Sequence, residues 1–194
     1  MLRSFLLTIT TLAIALGVGA GSVWFALDRD FEFGTITIGS WKAFATRGTP
    51  EADPYSKARF SREADLALGS AEGITFIARQ DDSGAPLHLH CAYRIAGPLP
   101  PARFWTLHAR DASGKVIHAP GTRAPALHSY ALLRDGDNNV ATTVSRHPSP
   151  GNWLAVEGNG EFSLVMTFYD TAMASGARIT EIELPQITQV GCDG

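Results

Sequence analysis

No basic stripe runs through this chain. Its 16 lysines and arginines stand against 19 aspartates and glutamates, a formal net charge of −3, and lysine is confined to Lys42, Lys57 and Lys115. Nucleic acid is held by clustered cations that displace condensed counterions, so this balance argues against it as a partner. A Gly-x-Ser-x-Gly elbow is missing too. Gly39-Ser40 and Gly69-Ser70 are turn-like dipeptides without the strand–turn–helix context that exposes a nucleophile. His128-Ser129 sets a serine beside a histidine, but adjacent strand residues face opposite ways. No glycine-rich phosphate loop is present, and no carboxylate pair is singled out by its spacing. The residues therefore name no catalytic group and imply no cofactor.

Charge is absent altogether from residues 5 to 27, FLLTITTLAIALGVGAGSVWFAL, which only Thr8, Thr10, Thr11 and Ser22 interrupt with polar side chains. A bilayer core needs about 20 mostly apolar residues to be crossed as a helix. Arg3 precedes the run and Asp28 and Asp30 follow it, which favours a cytoplasmic amino terminus and export of what comes after. Val18-Gly19-Ala20 offers small residues for cleavage after Ala20, yet the apolar run continues to Leu27 and exceeds a signal peptide's about 7 to 15 residues. The expectation is an uncleaved signal-anchor over residues 1–30, with membrane contact through residues 5–27. Residues 31–194 then form one exported domain, long enough for a core of its own.

Cysteine is nearly absent: two in the chain, Cys91 within a strand-like run and Cys192 close to the last residue. In an oxidising compartment they can close one bridge and staple the tail to the body; otherwise Cys91 is a small buried side chain and Cys192 a free one.

What is plentiful is period-two alternation broken by Gly, Pro, Asn and Asp. Thr35 to Ile38, Gly73 to Arg79, Leu87 to Ile95, Arg103 to Arg110, Lys115 to His118, Val140 to Val144, Glu161 to Tyr169 and Ile179 to Leu184 read as strands. Leu87, Leu89, Cys91, Tyr93 and Ile95 share one face of the run returning from Gly73 to Arg79. Leu132-Leu133 and Val140 to Val144 suggest a hairpin, and Pro185 closes the last strand. One soluble helix is expected over 54–67, with Asp53 as N-cap and Pro54 at the first turn. The fold class is thus mainly β: a β-sandwich of jelly-roll type with one covering helix, behind a single amino-terminal transmembrane helix.

The stretches PPARFWTLHARDASGKVIHAP and NWLAVEGNGEFSLVMTFYD, with DPYSKARFSREADLALGSAEGITFIA and HCAYRIAG upstream, resemble the family called domain of unknown function number 1214. The resemblance covers residues 40 to 190 and is to its short, membrane-anchored bacterial members. It implies a β-rich module on the periplasmic face of the bacterial inner membrane, and no activity. Longer relatives carry a companion domain that this chain lacks, so a separately encoded companion envelope protein is an implied partner. Ala155 and Tyr169-Asp170 depart from the longer relatives' pattern.

Two sets of residues carry what chemistry there is. His88 and His90 point from one side of a strand, as a metal pair must, and His108 on the next long strand is the third candidate ligand. Arg94 shares their face and no acidic residue lies between His90 and Asp111, both unfavourable for a cation. The second set joins Phe104, Trp105, Tyr130 and Trp153 as aromatic surfaces to Arg59, Arg103, Arg110 and Arg123 as readers of anionic groups. The first reading is a structural or interaction module of the envelope. Its rival is a metal- or small-ligand-dependent enzyme using His88, His90 and His108. Sequence leaves the oligomeric state open.

Overall fold

The computed structural model describes residues 2–28, 35–44, 54, 57–58, 61, 68–69, 72–118, 121–136, 139–171 and 182–193. The apolar run forms helix α1, Leu2–Asp28. At 1.5 Å per residue it is about 40 Å long, more than the roughly 30 Å of a hydrocarbon core. Within the span Leu2–Phe25 its mean hydropathy reaches 1.9 over 18 residues, none of that stretch buried against the rest of the chain. The polar interruptions look after themselves: the Thr8, Thr10 and Thr11 hydroxyls each donate to the carbonyl four residues back, at 2.9 Å. α1 is a candidate membrane-spanning helix.

Most of the other described residues belong to strands and the turns between them. The strands are β1 (Thr35–Ile38), β2 (Trp41–Phe44), β3 (Gly73–Ala78), β4 (Cys91–Gly97), β5 (Phe104–Asp111), β6 (Ala126–His128), β7 (Val140–Ser145), β8 (Asn152–Ala155), β9 (Phe162–Tyr169) and β10 (Gln186–Cys192). They build a six-stranded sheet in the order β1-β2-β3-β9-β5-β6 and a four-stranded sheet in the order β10-β4-β7-β8. Trp41, Phe76, Trp105, Leu107, Leu164, Met166 and Phe168 from the first meet Tyr93, Ile95, Val140, Val144, Leu154 and Ile187 from the second in one buried cluster. That shared core makes the two sheets a sandwich. Among the described residues they do not close into a jelly roll. The sheets hold six and four strands, and β7 runs parallel to β8 where a jelly roll is antiparallel throughout. Of the expected helix, Pro54, Lys57, Ala58 and Ser61 are described and helical, and Ser61 Oγ donates to the Lys57 carbonyl at 2.9 Å.

Several strands differ from their sequence reading. Leu87 to Ile95 keeps its alternation, with Leu87, Leu89, Cys91, Tyr93 and Ile95 all buried. Yet only Cys91 onward is strand, and β4 crosses to the second sheet instead of returning beside β3. Leu132-Leu133 is not a strand; β7 pairs with β4 and β8. From Lys115 to His118 only Val116 forms a bridge, to Arg110. Ile182 to Leu184, the described part of Ile179 to Leu184, is not strand, and Pro185 precedes β10 rather than closing a strand. Proline has no N–H for a ladder and sits readily at a strand's start; here its carbonyl accepts Trp41 Nε1 at 2.7 Å.

Two turns are built alike. Asp81 Oδ1 accepts the Ser83 N–H at 2.9 Å, the Ser83 hydroxyl at 2.5 Å and the Ala85 N–H at 3.1 Å. Asp111 Oδ1 accepts the Ser113 N–H at 2.9 Å, the Ser113 hydroxyl at 2.6 Å and the Lys115 N–H at 3.0 Å. Each is an Asp-x-Ser-Gly turn whose glycine, Gly84 or Gly114, takes a positive φ of 86° or 83°. Both carboxyls titrate below their usual value, the serine hydroxyl bond being the main cause.

Candidate functional site

Among the described residues the Arg and aromatic candidates do not share a cleft. Trp105 is on the inner face of β5, buried in the core. Tyr130, just past β6, is 76% exposed, and its hydroxyl donates to the Arg103 carbonyl at 3.1 Å. The Arg103 guanidinium lies 3.5 Å from the Asp170 carboxylate, both exposed. Arg110 Nε donates to His108 Nε2 at 3.1 Å. Trp153 belongs to β8, on the other sheet, and is already engaged. Its Nε1–H donates to the Ser145 hydroxyl at 3.0 Å and carbonyl at 3.1 Å, and the Arg123 guanidinium sits 4.6 Å over its ring. Arg59 lies outside the described residues.

What does gather on the outer face of the six-stranded sheet is a ridge of rings. Phe104 has His128 at 5.9 Å, Tyr130 at 5.5 Å and Tyr169 at 5.7 Å, centroid to centroid. Strand alternation carries Phe104 outward because Trp105 goes inward, and the β5–β9 register sets it opposite Tyr169. Phe104 was among the aromatic candidates read from the sequence, while His128 and Tyr169 were not joined to it. The alternation in FWTLHAR was the available signal, but the strand partner that completes the ridge was not visible.

The histidines divide similarly. His88 and His90 are neighbours, ring centroids 5.3 Å apart, while His108 is on the outer face of β5 in the six-stranded sheet with Arg110 as its partner. Among the described residues the three imidazoles do not form one ligand group. A different trio converges: the ligating atoms of His90, Cys91 and Cys192 all lie within 4.8 Å of one another. Cys192 stands opposite Cys91 in the β10–β4 register, and their sulfurs are bonded. The chain around them is tied down, with the Asp193 N–H donating to the His90 carbonyl at 2.8 Å and the Asp193 carboxylate 3.1 Å from His147 Nε2. The sequence signals were the His90-Cys91 and Cys192-Asp193 neighbours, and only the strand register joins them.

An open cleft of about 890 Å³ lies at one end of the sandwich, between the β1–β2 turn, the Asp81 turn, Gly97-Pro98 and the segment before β10. The Asp82 carboxylate in its wall is structural. Asp82 Oδ1 accepts the Ser40 hydroxyl at 2.5 Å and Oδ2 accepts the Ile187 N–H at 3.0 Å, so this carboxylate ties the β1–β2 turn to β10.

The family described as "Protein of unknown function (DUF1214)" matches residues 72–173, a narrower span than the 40 to 190 read from sequence. No curated protein matches the chain. Among solved structures, the VPA0106 protein from Vibrio parahaemolyticus is similar with a TM-score of 0.58 at 17% identity, over 72% of this chain and 36% of its own. A putative uncharacterized protein from Burkholderia cenocepacia gives a TM-score of 0.47 at 18% identity, over 89% of this chain and 40% of its own. The first likeness shows a shared fold. This chain spans well under half the length of either structure.

Proposed function

The chain belongs to the DUF1214 family of proteins of unknown function, and from that footing we propose that it is a structural or interaction module of the bacterial envelope. In this reading α1 is an uncleaved signal-anchor crossing the inner membrane once. Residues 31–194 stand on the periplasmic side as one domain, and the partner is a separately encoded companion envelope protein. The observation that carries the reading is the exposure of α1 along its whole described side, joined in one chain to a sandwich that has its own core. An apolar helix whose span Leu2–Phe25 is not buried in its own chain needs another apolar medium. The bonded Cys91 and Cys192 sulfurs suit an oxidising compartment.

The sandwich would meet its partner through side chains already held in place. The Phe104, Tyr130, Tyr169 and His128 ridge, edged by Arg103 and Asp170, gives rigid aromatic area beside charged groups, a combination suited to protein surfaces. The rival reading, an enzyme built on His88, His90 and His108, loses support because His108 is separated from the pair.

Topology tests the proposal. Full-length protein carrying a carboxy-terminal epitope is expressed in bacteria, and spheroplasts are treated with protease. The expected result is an epitope that fractionates with the inner membrane and is digested in intact spheroplasts. An epitope protected until lysis, or a soluble periplasmic product shortened by about 20 residues as cleavage after Ala20 would give, would overturn the anchored topology.

A further inference from the structure

We infer that His90, Cys91 and Cys192 are a redox-gated site for a borderline-soft divalent cation of the Zn²⁺ class. The ligating atoms of the three already lie within 4.8 Å of one another, close enough to share one ion after small side-chain adjustments. Two thiolates and one imidazole, with an open fourth position, form a donor set that Zn²⁺ takes readily in tetrahedral geometry. The backbone supports are in place without metal. The β4–β10 register sets Cys192 opposite Cys91, after a bulge between Gln189 and Gly191, and the Asp193 N–H holds the tail against the His90 carbonyl.

The disulfide keeps the site closed, because sulfurs bonded to each other have no thiolate charge to offer. Opening takes a dithiol reductant. One of its thiolates attacks Sγ of Cys192, the exposed residue of the pair, since Cys91 is buried. The S–S bond breaks with its electron pair leaving on Cys91, and the reductant's second thiol resolves the mixed disulfide. Two electrons and two protons pass to the protein, and the reductant becomes a disulfide. The cation then displaces both thiol protons and adds His90 as its third ligand. His90 is exposed as well, so the ion enters from solvent.

The test uses full-length protein in detergent micelles. It is reduced anaerobically with a phosphine, desalted, and titrated with Zn²⁺ against a chromophoric chelator. A parallel Co²⁺ titration reads thiolate ligation from sulfur-to-metal charge-transfer absorption. The reduced chain should bind one equivalent with that absorption, and the oxidised chain none at the same metal concentration. His90→Ala should weaken binding by more than the about 10- to 100-fold that losing an outer-shell partner costs, and Cys192→Ser should remove most of the charge-transfer band. Near-UV circular dichroism separates loss of fold from loss of ligand. If reduction alone unfolds the sandwich, Zn²⁺ should restore the signal. No uptake by a folded reduced chain, equal uptake by oxidised chain or by His90→Ala, or failure of Zn²⁺ to restore an unfolded one would each overturn the assignment.

Discussion

Asp81 and Asp111 make the same three bonds in the same kind of turn, but Asp81 is only 4% exposed while its twin is partly open to water. A carboxylate bonded to two amides and a hydroxyl is favoured in its charged form, which is why both titrate low. Protonation therefore comes harder in the folded chain than in the unfolded one. The stability each carboxylate adds is whole above its unfolded value near pH 4 and is lost as pH falls through the lowered folded value. Asp81→Asn keeps the shape and removes the charge. It should cost about 1–2 kcal/mol in urea unfolding at pH 7, and should flatten the fall in stability below about pH 4. Asp111→Asn should cost less, because water replaces the lost partner there. Equal losses in the two variants would mean that burial is not what separates the turns. Next door, Asp82 works across elements, joining Ser40 to Ile187. Asp81-Asp82-Ser83-Gly84 between two alternating runs reads as a turn in the sequence, but nothing local shows that one carboxylate serves the turn and the other the strands around it.

Among the elements, β9 is the hub, paired with both β3 and β5. Its approach to β3 is so close at one end that a Cβ on Gly73 would collide with the Phe168 carbonyl oxygen. Gly73→Ala should therefore force the two strands apart and cost about 1–3 kcal/mol, seen as a lowered midpoint in denaturant with an unchanged slope. A neutral outcome would show that the strand end yields freely. Strands with strong alternation were legible: Phe104–Asp111 and Phe162–Tyr169 differ from their sequence reading by a residue or so. β8 and β6 were missed for definite reasons. β8 is four residues long and is held by what lies beside it, Asn152 clamping Leu133 through donated and accepted bonds at 2.8 and 2.7 Å. β6 has three residues and exists through its pairing with β5. Short strands take their identity from neighbours distant in sequence, and local pattern does not carry that. The ridge around Phe104 was hidden in the same way, and so was the meeting of His90 with Cys192. The helix expected over 54–67 falls mostly outside the described residues.

At the scale of the whole molecule, one covalent link ties β10 to β4 across a separation of 101 residues. By the chain-entropy account, a loop of that length restrains the unfolded state more than a short one does. Reduction without added metal, or Cys192→Ser, should lower stability by about 2–5 kcal/mol. Urea unfolding followed by the fluorescence of buried Trp41 and Trp105 measures it, and an unchanged midpoint would mean that the strand pairing of β10 suffices without its link. The order of the elements adds a limit of reach. α1 ends at Asp28 and β1 begins at Thr35, so fully stretched chain allows about 25 Å between them. β1 is also an outer strand of the six-stranded sheet. With α1 in a bilayer, the sandwich is on a short leash, held by that sheet's border. A companion confined to the same membrane would search a thin layer rather than a volume, and would meet the sandwich at a raised effective concentration. Modest contacts would then be enough to hold the pair together.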